Sequence, residues 1–174
     1  KNTEDGIEVK VHPMLIPNNH PLANVNDAFN AVFVHGKAMD DAMFMGRGAG
    51  QMPTASAVVG DIIDVCRNIV HDSCGRIGCC CYKNLEVKDI TDTKSKFFLR
   101  LEVADKQGVL ANIASVLGNS GVSIAQVVQK SGKDGVAELV IITAEVLEKN
   151  FNDAMAVFKG LSAVKNIAGV IRVY

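Results

Sequence analysis

Three groups of residues in this 174-residue chain have types and spacings that could do chemistry. The first is the turn Asp105-Lys106-Gln107-Gly108, which leads into the apolar pair Val109-Leu110. Glycine at a helix start lets backbone approach closely, and the unpaired N–H groups and dipole there favour a carboxylate. Asp105 and, further along, Ser123 could then hold an ammonium or hydroxyl group. The plainer reading is that Asp105 and Gly108 simply make the turn and cap the helix. The second group is Gly46-Arg47-Gly48-Ala49-Gly50. Its G-x-G-x-G spacing is not the dinucleotide fingerprint, and no parallel strand follows its helix, so taken alone it reads as a strand-to-helix turn. The third is Cys74, Cys79, Cys80 and Cys81. Adjacent cysteines diverge and no C-x-x-C pair exists, so tetrahedral ligation would need other chains or His71; reduced thiols without a metal are the expectation. His12 and His20 sit beside prolines and read as turn residues. Asp61 and Asp64 read as an exposed pair on a helix, and Lys37, Asp40 and Asp41 as a solvated loop tip.

These residues must be positioned by elements that the hydrophobic pattern outlines. Ile7, Val9 and Val11 alternate with polar residues at the period of a half-buried strand. Pro13, Pro17 and Pro21 punctuate a turn-rich connection. Two further strands are expected at 29–35 and 42–45. Pro53 suits a helix N1 position, and Ala55, Val58, Val59, Ile62, Cys66, Ile69 and Val70 recur at helical spacing over about 17 residues. From Lys94 the order becomes more regular. A strand at 97–103 is followed by a helical stripe through Val109, Ile113 and Leu117 that ends near Gly118–Gly121. Strands at 122–129 and 136–143 flank a hairpin signal at Ser131–Gly135. A second helix spans 146–161, and a strand at 167–173 closes the order β-α-β-β-α-β, the split ferredoxin-like pattern with two helices on one face of a four-stranded antiparallel sheet.

Composition bounds the function classes. The first 93 residues carry 8 basic and 12 acidic side chains, and the remainder 10 and 7. Neither half has the dense basic patch of a nucleic-acid binder. No apolar run reaches bilayer-spanning length and no signal-peptide pattern opens the chain, so no membrane partner and a cytoplasmic location are expected. An odd set of five cysteines argues against a secreted disulfide framework. The chain lacks an initiator Met and begins inside a strand-like run, as a piece of a longer polypeptide would.

Two resemblances sharpen this reading. Leu101–Leu110 resembles the signature of ACT domains, in which a strand turns into Gly-Val-Leu at the start of the first helix, and Gly121-Val122-Ser123-Ile124 resembles the start of their second strand. Gln107 stands where that family often has Pro. The resemblance implies side-by-side pairing and an amino-acid effector bound near the turn by Asp105, Gln107, Gly108, Val109, Leu110 and Ser123, with threonine the first expectation. Upstream, Val11-His12-Pro13-Met14-Leu15-Ile16-Pro17, His20-Pro21-Leu22-Ala23, Phe29-Asn30-Ala31-Val32, Gly46–Gly50 and Pro53–Val59 together resemble the late portion of homoserine dehydrogenases with a C-terminal ACT domain.

That resemblance implies an α+β chain. Residues 1–72 would be the end of the catalytic and dimerisation region, 73–93 a Cys-containing linker, and 94–174 the ACT domain. NAD(P) would serve the full-length parent, with Gly50 and Gly48 touching it. The catalytic residues would lie upstream, leaving this fragment inactive and without bound cofactor, and apolar sheet surface would drive homodimers or higher homo-oligomers. A stand-alone amino-acid-binding regulator and a purely structural dimerisation module are the alternatives.

Overall fold

The computed structural model describes residues 1–75, 78, 84–130, 132 and 134–174. The Cys79–Cys81 run lies outside the described residues. The chain divides into two compact units, one of 1–15 with 85–174 and one of 16–84. Residues 1–15, expected to belong with the upstream region, thus share a unit with the C-terminal module.

The larger unit is built on a sheet of β6 (Lys94–Ala104), β7 (Ile124–Lys130), β8 (Val136–Thr143) and β10 (Val164–Val173) in the order β10-β6-β8-β7, all antiparallel. Two helices, α2 (Val109–Asn119) and α3 (Glu148–Gly160), complete the βαββαβ order. Side chains alternate across a strand, so Phe97, Leu99, Leu101 and Val103 of β6 and Ala137, Leu139 and Ile141 of β8 all face one side, and all are buried. Val109, Ile113 and Leu117 of α2 and Phe151, Ala154 and Phe158 of α3, spaced three or four apart, cover that side. Phe97 and Phe151 stack with ring centroids 3.7 Å apart.

The end of α2 is set by Gly121, whose φ of 71° suits a residue without Cβ. The Val122 N–H donates to the Leu117 carbonyl and the Gly121 N–H to the Gly118 carbonyl, the paired bonds of a Schellman motif, and Val122 is buried as the motif favours. One edge of the sheet, β10, has two register shifts and is joined at its end by a short parallel strand, β3 (Met14–Leu15). The other edge, β7, runs in register with β8 from Gln126 to Lys130.

Two expectations need correction here. The strand expected over Ile7–Val11 is reduced to a two-residue ribbon, β1 (Asn2–Thr3) with β2 (Gly6–Ile7). Beyond Ile7, which bridges to Val87, Val9 and Val11 stand 63% and 100% exposed, so the alternation there buries nothing. Val146 and Leu147 are not helical. They form β9 (Val146–Leu147) against Lys94 and Ser95, and α3 starts at Glu148, whose N–H donates to the Thr93 carbonyl.

The smaller unit contains an antiparallel hairpin, β4 (Phe29–Gly36) with β5 (Asp40–Arg47), and the helix α1 (Gln51–Val70). Helix α1 starts two residues before Pro53, which is tolerated in a first turn where the missing N–H has no helical acceptor. No described residue of α1 is buried.

Candidate functional site

Strand β6 delivers the chain into the turn at Asp105. The Asp105 N–H donates to the Gly135 carbonyl at 2.9 Å, and the Lys106 N–H to the Ala104 carbonyl at 3.0 Å. Gly108 takes φ 85°, a left-handed conformation that an L side chain would strain, and so turns the chain into α2. Burial of Val109, Ile113 and Leu117 then fixes the axis of the helix. Asn112 N–H donates to the Gly108 carbonyl at 3.0 Å, the first i to i−4 bond of the helix. Leu110 and Ala111 precede that bond, so helix geometry gives their amides no acceptor within the helix. Gly108 also makes no side-chain cap bond that would occupy them.

The start of the helix borders a cavity of about 210 Å³ whose lining includes Lys106, Gln107, Gly108, Val109, Leu110 and Gln129. It is smaller than the ~300–1,000 Å³ of drug-sized pockets and suits a ligand the size of one amino acid. Four of the six residues expected from sequence thus come together. Asp105 and Ser123 do not line the cavity. The Ser123 carbonyl accepts from the Ala144 N–H, fixing the entry to β7.

Sequence reading missed Lys106 and Gln129. Lys106 lies inside the expected turn and adds an ammonium to the dipole's preference for an anion. Gln129 becomes visible only through sheet register. It stands opposite Leu139, which stands opposite Leu101, so its side chain shares the helix-covered face with two core residues.

The second group is built differently. The Gly48 N–H donates to the Ala28 carbonyl at 2.9 Å, and a Cβ at Gly48 would collide with the Asn30 side-chain amide. The need for glycine there is met within the hairpin itself. Gly50, at φ 130°, is the N-cap of α1 and makes no side-chain cap bond, and the first turn carries no acidic residue. A helix start of this kind leaves its first amides without helical acceptors, while at Gly48 the Asn30 side chain occupies the space a Cβ would take.

The remaining residues serve local structure. His20 Nδ1 accepts from the Leu22 N–H and caps the 3₁₀ turn Pro21–Asn24, while His12 Nδ1 lies 2.9 Å from the Pro13 carbonyl. His35 and Asp41, 2.7 Å apart across the hairpin, are both largely exposed. Cys66 and Cys74 are exposed thiols, and among the described residues no group of three or more His, Cys, Asp or Glu is placed to hold a metal. Among them, too, no helix is long and apolar enough to cross a membrane.

Known proteins share this arrangement in order. A family model for homoserine dehydrogenase matches residues 2–63, and one for the ACT domain matches residues 91–172. The homoserine dehydrogenase of Corynebacterium glutamicum is 40% identical over 173 residues, covering 99% of this chain and 38% of the relative. That of Pseudomonas aeruginosa is 37% identical over 180 residues, covering 99% of this chain and 42% of the relative. The chain belongs to the homoserine dehydrogenase family. It corresponds to the C-terminal portion of the full-length proteins, the end of the catalytic and dimerisation region followed by the ACT domain. The crystal structure of a homoserine dehydrogenase from Thiobacillus denitrificans superposes on the whole chain with a TM-score of 0.88 at 37% identity, over 40% of that protein. The S. aureus homoserine dehydrogenase at pH 7.0 covers 92% of the chain with a TM-score of 0.52 at 26% identity. The chain therefore spans about two fifths of the length of the homoserine dehydrogenases it matches.

Proposed function

We propose that this chain is the regulatory portion of a homoserine dehydrogenase and that its ACT domain senses an amino acid, threonine first. The observation that carries the reading is the cavity at the start of α2, lined by Lys106, the first turn of the helix and Gln129 of β7, where helix amides and the Lys106 ammonium would meet a ligand's carboxylate. Gln107, Gly108, Val109 and Leu110 form the turn that shapes it. Asp105 and Ser123, outside the cavity lining, meet the ligand in the paired domain, where a second copy completes the site as the ACT resemblance implies.

The parent reaction is the NAD(P)-dependent interconversion of L-homoserine and L-aspartate 4-semialdehyde, in which the cofactor supplies the hydride acceptor. Gly50 and the first amides of α1 would hold part of that cofactor, while the catalytic groups belong to the rest of the enzyme. Regulation is a population shift: the effector changes activity only by binding one state of the ACT pair more tightly than the other.

Calorimetry with threonine, isoleucine, methionine, lysine and serine tests the sensor. Heat with threonine above the others is expected, and silence with all five would leave the module a purely structural one. The parent activity is tested by assaying the full-length gene product for homoserine oxidation with NAD and NADP. A full-length product that binds an amino acid but oxidises no homoserine would favour the stand-alone regulator instead.

A further inference from the structure

The Glu148 carboxylate at the start of α3 is 3% exposed and is held from several sides. Arg172 donates from Nε to Oε1 at 2.6 Å and from Nη2 to Oε2 at 2.7 Å, and Ser95 Oγ donates to Oε1 at 2.8 Å. The last charge comes from outside the βαββαβ module. Lys10, its side chain 13% exposed, places Nζ 3.7 Å from Oε1 and donates to Ser95 Oγ at 3.0 Å and to the Lys94 carbonyl at 3.2 Å.

A few residues on, the same segment is anchored again. Met14 and Leu15 pair in parallel with Arg172 and Val173, and the Tyr174 N–H donates to the Leu15 carbonyl at 2.9 Å. Arg172 takes part in both anchors. Between them Val11 is fully exposed, and a cavity of about 690 Å³ opens alongside, lined in part by Val9, His12, Met14, Lys96 and Val173. The segment is thus held at two points with open space beside it. At Ile16 the chain enters the second compact unit.

We propose that Lys10–Leu15 is a strap, latched by Lys10 onto the Glu148–Ser95 cluster and hinged on the end of β10, that opens as a local unit while the ACT module stays folded. The latch works because one buried carboxylate is shared. Arg172 and Ser95 satisfy Glu148 when Lys10 leaves, so opening strands no buried charge, and the ammonium passes to water. The strap thereby ties α3 and β10 to the first passage of chain toward Ile16.

Hydrogen exchange followed by mass spectrometry on the 174-residue chain tests this, with Lys10→Met and Ser95→Ala as the variants. Lys10→Met should raise exchange over residues 14–15 and 172–174 by about tenfold or more, leaving β6 and β8 at wild-type protection. Ser95→Ala, which removes one of the two hydrogen-bond acceptors of Lys10 without touching its charge, should move the same two segments in the same direction. Unchanged exchange in both variants would overturn the latch. A rise spread through β6 and β8 would overturn it equally, because the cluster would then belong to the global fold.

Discussion

At the scale of single residues, Glu148 shows how a buried acid can be kept ionised. Burial pushes its carboxyl up, but the hydrogen bonds from Arg172 and Ser95 and the charges of Arg172 and Lys10 outweigh that and hold it below its ordinary 4.5. A carboxyl lowered in the folded state contributes stability that is fully present above the unfolded value and is lost as pH falls through the folded one. Acidification from neutrality to below 4.5 should therefore destabilise the wild type more steeply than Glu148→Gln, as read by urea unfolding at a series of pH values. At neutral pH, Glu148→Gln should itself cost about 3 kcal/mol, because Arg172 loses its countercharge in a half-buried site. Gly108 is the other decisive residue. Gly108→Ala forces an L side chain to φ 85° and should cost about 1–2 kcal/mol, read as a drop in unfolding free energy in urea. Gly108 was legible in the sequence because a glycine before an apolar helical stripe has one economical explanation. Lys10 and Glu148 were not, because 137 residues of chain lie between two charges that only the fold brings together, and each alone resembles a solvated surface group.

At the scale of elements, local chemistry decided which expectations survived. The end of α2 was readable because Gly118 to Gly121 supply the left-handed residue that a Schellman motif needs. Gly121→Ala should cost about 1 kcal/mol by strain alone. Its added methyl would also lie 3.1 Å from Asn150 Nδ2, so a drop in melting temperature is the expected readout. The core stripes were equally plain, and Ile113→Ala should cost about 2–5 kcal/mol, since the side chain is fully buried between helix and sheet. Elements failed to follow the pattern where pairing overrode periodicity. Val146 and Leu147 continue an apolar helical stripe, yet their backbones bond to Lys94 and Ser95 instead. Val9 alternates like a strand residue without any ladder to join. Gln129 belongs to the same lesson: its side of the sheet follows from register with Leu139, which a single segment does not encode.

At the scale of the whole molecule, the two units differ in how much they bury. Among the described residues, all the buried apolar side chains lie in the unit that holds the βαββαβ module, whereas Val58, Ile62, Ile69 and Val70 of α1 and Val32 and Phe44 of the hairpin are all more than half exposed. Exposed apolar side chains in this number, on a helix and on a hairpin, mark surface that contacts other protein. The isolated 174-residue chain should accordingly bind a hydrophobic dye and sediment as a dimer or larger species. A monomer with no dye binding would contradict that. The edges of the ACT sheet add a constraint on growth. β10 carries two register shifts against β6 and is roofed by β3 at Arg172 and Val173, features that discourage a neighbouring strand, while β7 carries one shift, at Ile124/Gln126, and then runs in register over Gln126–Lys130. The two borders of the sheet therefore differ in how readily they take another strand. Through its strands, such a module pairs with a second copy more readily along β7 than it extends a chain of copies along β10.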